Sequence, residues 1–157
     1  ADVAIANVEI FADEGVETPE GFLSMKDLEL PQASRDGELI FNEVPVDFPT
    51  AETIQEIRSS LGQQSRIEAG LFCTVSLGSG TDAASRRAEE RWNPLAESME
   101  GAAAALVAWR QRVRFSEIRG ISNMTGDRNR ESWKIAEACE AAAAAAGVWI
   151  ERERTQA

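Results

Sequence analysis

Histidine is absent from the 157 residues, and only two cysteines occur. The first absence removes every Ser/His and Cys/His catalytic arrangement, so any chemistry must run on carboxylates, amides or backbone groups. Cys73 and Cys139 are far apart, both lie in apolar runs, and no histidine exists to join them in a metal site; their expected job is packing. Basic residues are scarce too. Sixteen Lys plus Arg face 27 Asp plus Glu, and a net charge of -11 is the wrong sign for gathering on phosphate backbones or anionic lipid. Neither nucleic acid nor a membrane surface is an expected partner. The longest apolar stretch, Ala141 to Ile150, is alanine-rich and too short to span a bilayer, and no basic-then-apolar secretion signal opens the chain. A soluble, cytoplasmic protein is expected. Proline is sparse, with five residues, and a hydrophobic content of 43% is enough for one domain to bury a core.

Along the chain, Val3 to Phe11 is a β-branched run that reads as a strand. Ala12 to Pro49 is rich in Gly, Pro and acid and reads as loop with a short hairpin, Thr18-Pro19-Glu20-Gly21 being a turn signal. Thr50 can cap a helix that places Ile54, Ile57 and Leu61 on one face and stops at Gly62. Leu71 to Leu77 reads as a strand buried on both sides. Gly78-Ser79-Gly80-Thr81 then turns into a helix with Ala84, Ala88 and Trp92 at four-residue spacing, ended by Pro94. A short strand from Leu95 to Met99 feeds a helix over Gly101 to Arg112 with Ala102, Ala105, Leu106 and Trp109 facing one way. Val113 to Ser122 reads as the next strand, and after a polar loop a last helix carries Ile135, Cys139, Ala142, Ala146 and Trp149 as its buried stripe. The four tryptophans, Trp92, Trp109, Trp133 and Trp149, fall in these helices and are expected to pack. Such alternation is the pattern of an α/β fold with a mainly parallel sheet, in which ligands gather at the carboxyl ends of strands. The loops Ser76 to Thr81, Glu97 to Gly101 and Ser122 to Arg130 are thus the places to look.

Glu97-Ser-Met-Glu-Gly101 puts carboxylates where a strand ends and a helix begins. Glu100 there can accept hydrogen bonds from paired sugar hydroxyls and stabilise positive charge on a sugar ring, or it can simply favour the first helical turn through the dipole. Asn123 stands at the mouth of the next loop. Its amide offers a donor and an acceptor to one edge of a base, and equally suits a plain turn. Arg128 and Arg130 can clamp an anionic group or pair with nearby acids. Gly78-Ser79-Gly80-Thr81 lacks the dinucleotide fingerprint and the P-loop lysine, but its backbone can line a base pocket while Thr81 caps a helix.

Three segments together carry a resemblance: Glu97-Ser-Met-Glu-Gly-Ala-Ala103, Phe115-Ser-Glu-Ile-Arg-Gly-Ile-Ser-Asn123 with Gly126-Asp-Arg-Asn-Arg130, and Glu14-Gly-Val-Glu-Thr-Pro-Glu-Gly-Phe22. They resemble the purine nucleoside phosphorylase and nucleosidase superfamily and, within it, the futalosine hydrolases of menaquinone biosynthesis, over essentially the whole chain. The resemblance implies one nucleoside phosphorylase-like domain over residues 1–157, a three-layer αβα fold on a mixed, mostly parallel sheet. It implies that Met99 packs against ribose, that Glu100 binds its hydroxyls, and that Asn123 faces the base where adenine-directed nucleosidases carry an acid. An amide suits a 6-oxopurine such as hypoxanthine. Ser76, Gly80 and Thr81 fall in the segment that lines the base.

The implied activity is hydrolysis of the N-glycosidic bond of futalosine, with no metal or redox cofactor, a small nucleoside as partner and a homo-oligomer as the usual state. A methylthioadenosine-type nucleosidase, a purine nucleoside phosphorylase and a non-catalytic purine-binding or assembly module are the alternatives. The superfamily's amino-terminal portion, with its first strand, glycine-rich turn and water-activating acid, has no counterpart. This chain is therefore expected to be a carboxyl-terminal part with an exposed sheet edge, an incomplete pocket and little or no activity alone.

Overall fold

A computed structural model describes residues 1–62 and 65–156. The β-branched opening run forms β1 (Val3–Phe11), with Val3 to Ala6 and Ile10 buried. The stretch expected as loop with one hairpin instead holds two hairpins and a further strand. These are β2 (Gly15–Thr18) with β3 (Gly21–Ser24), β4 (Ala33–Arg35) with β5 (Glu38–Ile40), and β6 (Glu43–Pro45). The second hairpin turns on Asp36 and Gly37, both at positive φ, as a tight two-residue turn demands. Buried Asn42 fastens this region, donating from Nδ2 to the carbonyls of Phe11 and Glu14 and accepting at Oδ1 from the Met25 N–H. An amide held by three backbone groups gives this region fixed anchors.

Helix α1 (Ala51–Leu61) starts on Thr50, whose hydroxyl accepts from the Thr53 N–H at 3.2 Å. Strand β7 (Ile67–Thr74) begins and ends earlier than expected, and only Phe72, Cys73 and Thr74 within it are fully buried. The helix stops at Gly62 as expected, its C-cap at positive φ. Helix α2 (Asp82–Trp92) is capped by Thr81 and closed by left-handed Asn93 just before Pro94. Strand β8 (Ala96–Ser98) leads into α3 (Gly101–Gln111), which buries Ala102, Ala105, Leu106 and Trp109 as expected. The strand expected over Val113 to Ser122 contracts to β9 (Ile118–Gly120). Only these residues run beside β1; before them, isolated bonds from the Asp47 N–H to the Phe115 carbonyl and from the Ala6 N–H to the Glu117 carbonyl replace a ladder. A 3-10 turn at Arg130–Ser132 precedes α4 (Ile135–Gln156).

Strands β1, β7 and β8 are parallel. On the other edge of β1, β9 pairs antiparallel with its first half and β6 antiparallel with its second. The register between β1 and β7 shifts around Asn7, a bulge that bends the long strand. The edge of β8 away from β7 has no strand partner among the described residues. Helices α1 and α4 pack on Val3 and Ile5, while α3 packs on β1, β6 and β7, which yields the three-layer αβα arrangement.

The stripe of α4 departs from expectation. Ala138, Ala141, Ala145 and Trp149 are buried, whereas Ile135 and Cys139 are exposed, so packing is the job of Cys73 alone. An alanine-rich helix offers nearly equal faces, and the rotation is chosen by contact: a Cβ on Gly120 of β9 would lie 1.9 Å from the Ala138 carbonyl oxygen. Trp133 lies just past the 3-10 turn and not in a helix; the guanidinium groups of Arg128 and Arg130 sit 5.0 Å and 5.9 Å from its ring centre. Among the described residues no helix is long and apolar enough to cross a membrane.

Candidate active site

Ser98 is the last residue of β8, and the chain turns at Met99 and Glu100 into α3. Two hydroxyls hold this turn: Thr74 accepts from the Ala102 N–H at 2.7 Å and Ser98 from the Gly101 N–H at 3.4 Å. Since they satisfy the first amides of the helix, Glu100 does not have to, and its side chain makes no cap bond. Its carboxylate is 75% exposed, and among the described residues its ion-pair partner is the Arg119 guanidinium, Nη2 to Oε2, 3.7 Å. Glu100 is therefore anchored at one side and free at the other to accept from a ligand. Met99 beside it is 56% exposed, available to lie along an apolar ligand face.

Arg119 projects from β9 and also donates from Nε to Glu117, a carboxylate that is 9% exposed. Behind Glu117 lies Glu9 of β1, fully buried, with the two carboxyls side by side against Gly101. Burial, then the neighbouring Glu117 charge, push the Glu9 carboxyl up to about 8. The Thr74 hydroxyl donates to Glu9 Oε2 at 3.2 Å, while Oε1 of Glu9 has no partner. Gly101 leaves room for the two acids: a Cβ there would stand 2.4 Å from Glu117 Oε2 and 2.5 Å from Glu9 Oε2, so a larger residue would push the carboxyls aside.

Asn123 follows β9 by three residues and is exposed. Its Oδ1 accepts from the Ser122 hydroxyl at 2.7 Å and its Nδ2 donates to the Met124 carbonyl at 2.8 Å, so its amide is engaged within its own loop. Strand β9 is antiparallel to β1, which puts its carboxyl end beside Val3 and away from the carboxyl ends of β7 and β8. The loop nevertheless returns to the β7–α2 connection. Gly126 N–H donates to the Ser79 carbonyl at 3.0 Å, Ser85 and Thr125 share a hydroxyl bond of 2.6 Å, and Asp127 N–H donates to Asp82 at 3.3 Å. Two of the three expected loops thus meet directly, and the third joins them through Glu97, which accepts from the Ser79 N–H at 2.8 Å and the Ser79 hydroxyl at 2.5 Å.

Of the remaining candidates, Ser76 is exposed and its N–H donates to Asp13 at 2.6 Å. Gly80 packs against the Arg128 stem, and Thr81 spends its hydroxyl capping α2 on the Ala84 N–H. Glu9, Glu117 and Arg119 were not singled out from sequence. The signals were present: an acid inside a mostly apolar strand, and an acid and a base two residues apart in a run read as a strand, which would point them the same way.

A model of the phosphorylase superfamily matches residues 1–151. The chain is similar to futalosine hydrolase of Acidothermus cellulolyticus, 30% identical over 135 residues that make up 85% of this chain and 51% of that protein. It is also similar to futalosine hydrolase of Streptomyces coelicolor, 31% identical over 146 residues, 92% of this chain and 55% of that protein. The chain thus spans about half the length of these relatives. Among solved structures, the 5'-methylthioadenosine/S-adenosylhomocysteine nucleosidase of Neisseria meningitidis in complex with methylthio-immucillin-A shares the fold at TM-score 0.73 and 15% identity, over 96% of this chain and 62% of that one. A futalosine hydrolase mutant of Helicobacter pylori shares it at TM-score 0.70 and 15% identity, over 96% and 61%. With its mixed αβα sheet and a family match that runs almost end to end, the chain belongs to the phosphorylase superfamily.

Proposed function

We propose that this chain provides the ribose- and base-binding side of a nucleosidase that hydrolyses the N-glycosidic bond of futalosine and releases hypoxanthine. The observation that carries the reading is Glu100: an exposed carboxylate at the opening of α3, excused from capping and oriented by Arg119. Such a group accepts hydrogen bonds from vicinal hydroxyls and stabilises the positive charge that grows on the ribose ring as the base departs. Met99 covers the sugar, and Asn123 turns its amide from Ser122 and Met124 to the oxo edge of the base. Ser76, Gly80 and Thr81 line the base side mainly through backbone, since the Thr81 hydroxyl is occupied. Among the described acids near the turn, Glu9 and Glu117 are committed to each other and to Arg119, and Glu97 to Ser79, so none of these three stands free to activate water. The similarity to two futalosine hydrolases over most of this chain supports the choice of substrate.

The reaction is placed in the cytoplasm, and the working unit is a homo-oligomer. Support for self-association comes from the outer side of α3, where a groove is lined by Ala103, Ala104, Val107, Ala108 and Phe115 and where Val107 and Val113 are 60% and 62% exposed. Glu100→Ala, made in a version extended to the length of the relatives, tests the catalytic reading. Futalosine turnover is expected to fall at least about 100-fold with folding intact, the scale of one lost transition-state contact. Near-normal turnover would remove Glu100 from the mechanism, and a requirement for phosphate would replace the hydrolase with a phosphorylase.

A further inference from the structure

The acid behind the site is not explained by ribose binding. Glu9 is fully buried, it faces a second carboxyl, and its Oε1 has no partner. The hydroxyl protons around it can be placed without remainder. Gly101 N–H donates to Ser98, Ser98 donates to Thr74, and Thr74, which also accepts from the Ala102 N–H, donates to Glu9 Oε2. That chain ends on Glu9 Oε2, which stands beside Glu117 Oε2 against Gly101, and Oε1 is buried without a partner; two adjoining buried carboxyls of this kind favour keeping one of them protonated.

We propose that Glu9 is a positioning residue: as a neutral acid it donates a hydrogen bond to Glu117, so that Glu117 remains a single anion held on Arg119 and Arg119 keeps an outer nitrogen for Glu100. The contribution to substrate binding rests on the reading of Glu100 above; the proton between the carboxyls does not. The groups that face Glu9 are few. Strand β7 presents Thr74, with Cys73 turned to the opposite face beside Ile10, β8 presents Ser98, and α3 presents the amides of Gly101 and Ala102. The segment around β9 presents Glu117 and Arg119, and β6 sets uncharged Val44 opposite. Arg119 is thus the cation of the cluster, and Cys73, pushed up to about 12 by burial, stays a neutral thiol. Ionising Glu9 would place two anions behind one guanidinium and draw it inward, away from Glu100.

The test is nuclear magnetic resonance on the full chain, with the glutamate carboxyl carbons and arginine Nε groups observed through a pH titration. One carboxyl is expected to titrate near 8, with the Arg119 Nε–H signal moving at the same midpoint. Glu9→Gln, a neutral donor of the same shape, is expected to remove that titration and hold Arg119 at its low-pH position throughout. Should that variant not fold, Glu117→Gln serves, and it is expected to lower the midpoint of Glu9. Every glutamate titrating in its ordinary range of about 4 to 5, or an Arg119 signal indifferent to the Glu9 titration, overturns the proposal. Inosine added to the same samples separates the two readings. If it leaves the Glu100 and Arg119 signals unmoved while the pair titrates as stated, the ribose site is wrong and the shared proton stands.

Discussion

At the scale of single residues, the features that matter are the ones whose side chains are used up and the ones left free. Thr81 is spent on α2 and Glu97 on Ser79, whereas Glu100 retains most of its carboxylate surface. Asn123 lies between these cases, since both ends of its amide are held by partners within its own exposed loop, which on the proposed reading give way to a purine edge. Asn123→Asp in an extended version should therefore shift preference from 6-oxo towards 6-amino purine nucleosides, read as the ratio of the two kcat/KM values. An unchanged ratio would take the residue out of base recognition.

Glu9 yields a prediction in stability. Burial pushes its carboxyl from the ordinary 4.5 up to about 8, so between those values the folded state binds more protons. The stabilisation it contributes is complete below the lower value and is lost as pH rises through the upper, at up to about 1.4 kcal/mol per pH unit. Glu9→Gln has no such loss. The difference in unfolding free energy, mutant minus wild type, should grow across that interval in urea titrations, and a flat difference would mean that Glu9 is not protonated in the fold.

At the scale of elements, helices were readable from their ends and the long strand β1 from its β-branched run, whereas the short edge strands were not. Thr50 and Thr81 cap α1 and α2 with their own hydroxyls, and Asn93 and Arg112 close α2 and α3 in the left-handed conformation, all local chemistry that the sequence carries in plain order. By contrast β6 and β9 are three residues each, and they exist because β1 has a free edge to receive them. No local pattern encodes a distant edge. The rotation of α4 is decided in the same way, by the backbone of Ala138 resting on Gly120. Gly120→Ala should cost about 1 to 3 kcal/mol, since the obstacle is backbone and cannot swing aside. Gly147→Ala on the same helix meets nothing within 4 Å and should stabilise the chain slightly, by up to about 1 kcal/mol. Chemical denaturation of the two variants checks both, and equal effects would refute this account of how α4 is set.

At the scale of the whole molecule, two surfaces are open among the described residues: the edge of β8 away from β7 and the apolar outer side of α3. Sedimentation should show self-association that Val107→Glu weakens; a concentration-independent monomer in both would withdraw the homo-oligomer. The sequence alone determined the alternation of strands and helices, the absence of histidine chemistry, and the Met99–Glu100 turn with its family resemblance, because composition, caps and short motifs are local properties. Only the tertiary structure decided that Arg119 reaches Glu100, that Glu9 and Glu117 meet behind Gly101, and that the loop after β9 folds back onto Ser79. Those contacts join residues far apart in the chain, and they are set by a bulged strand, by which edge β9 occupies and by where a glycine lets two elements close.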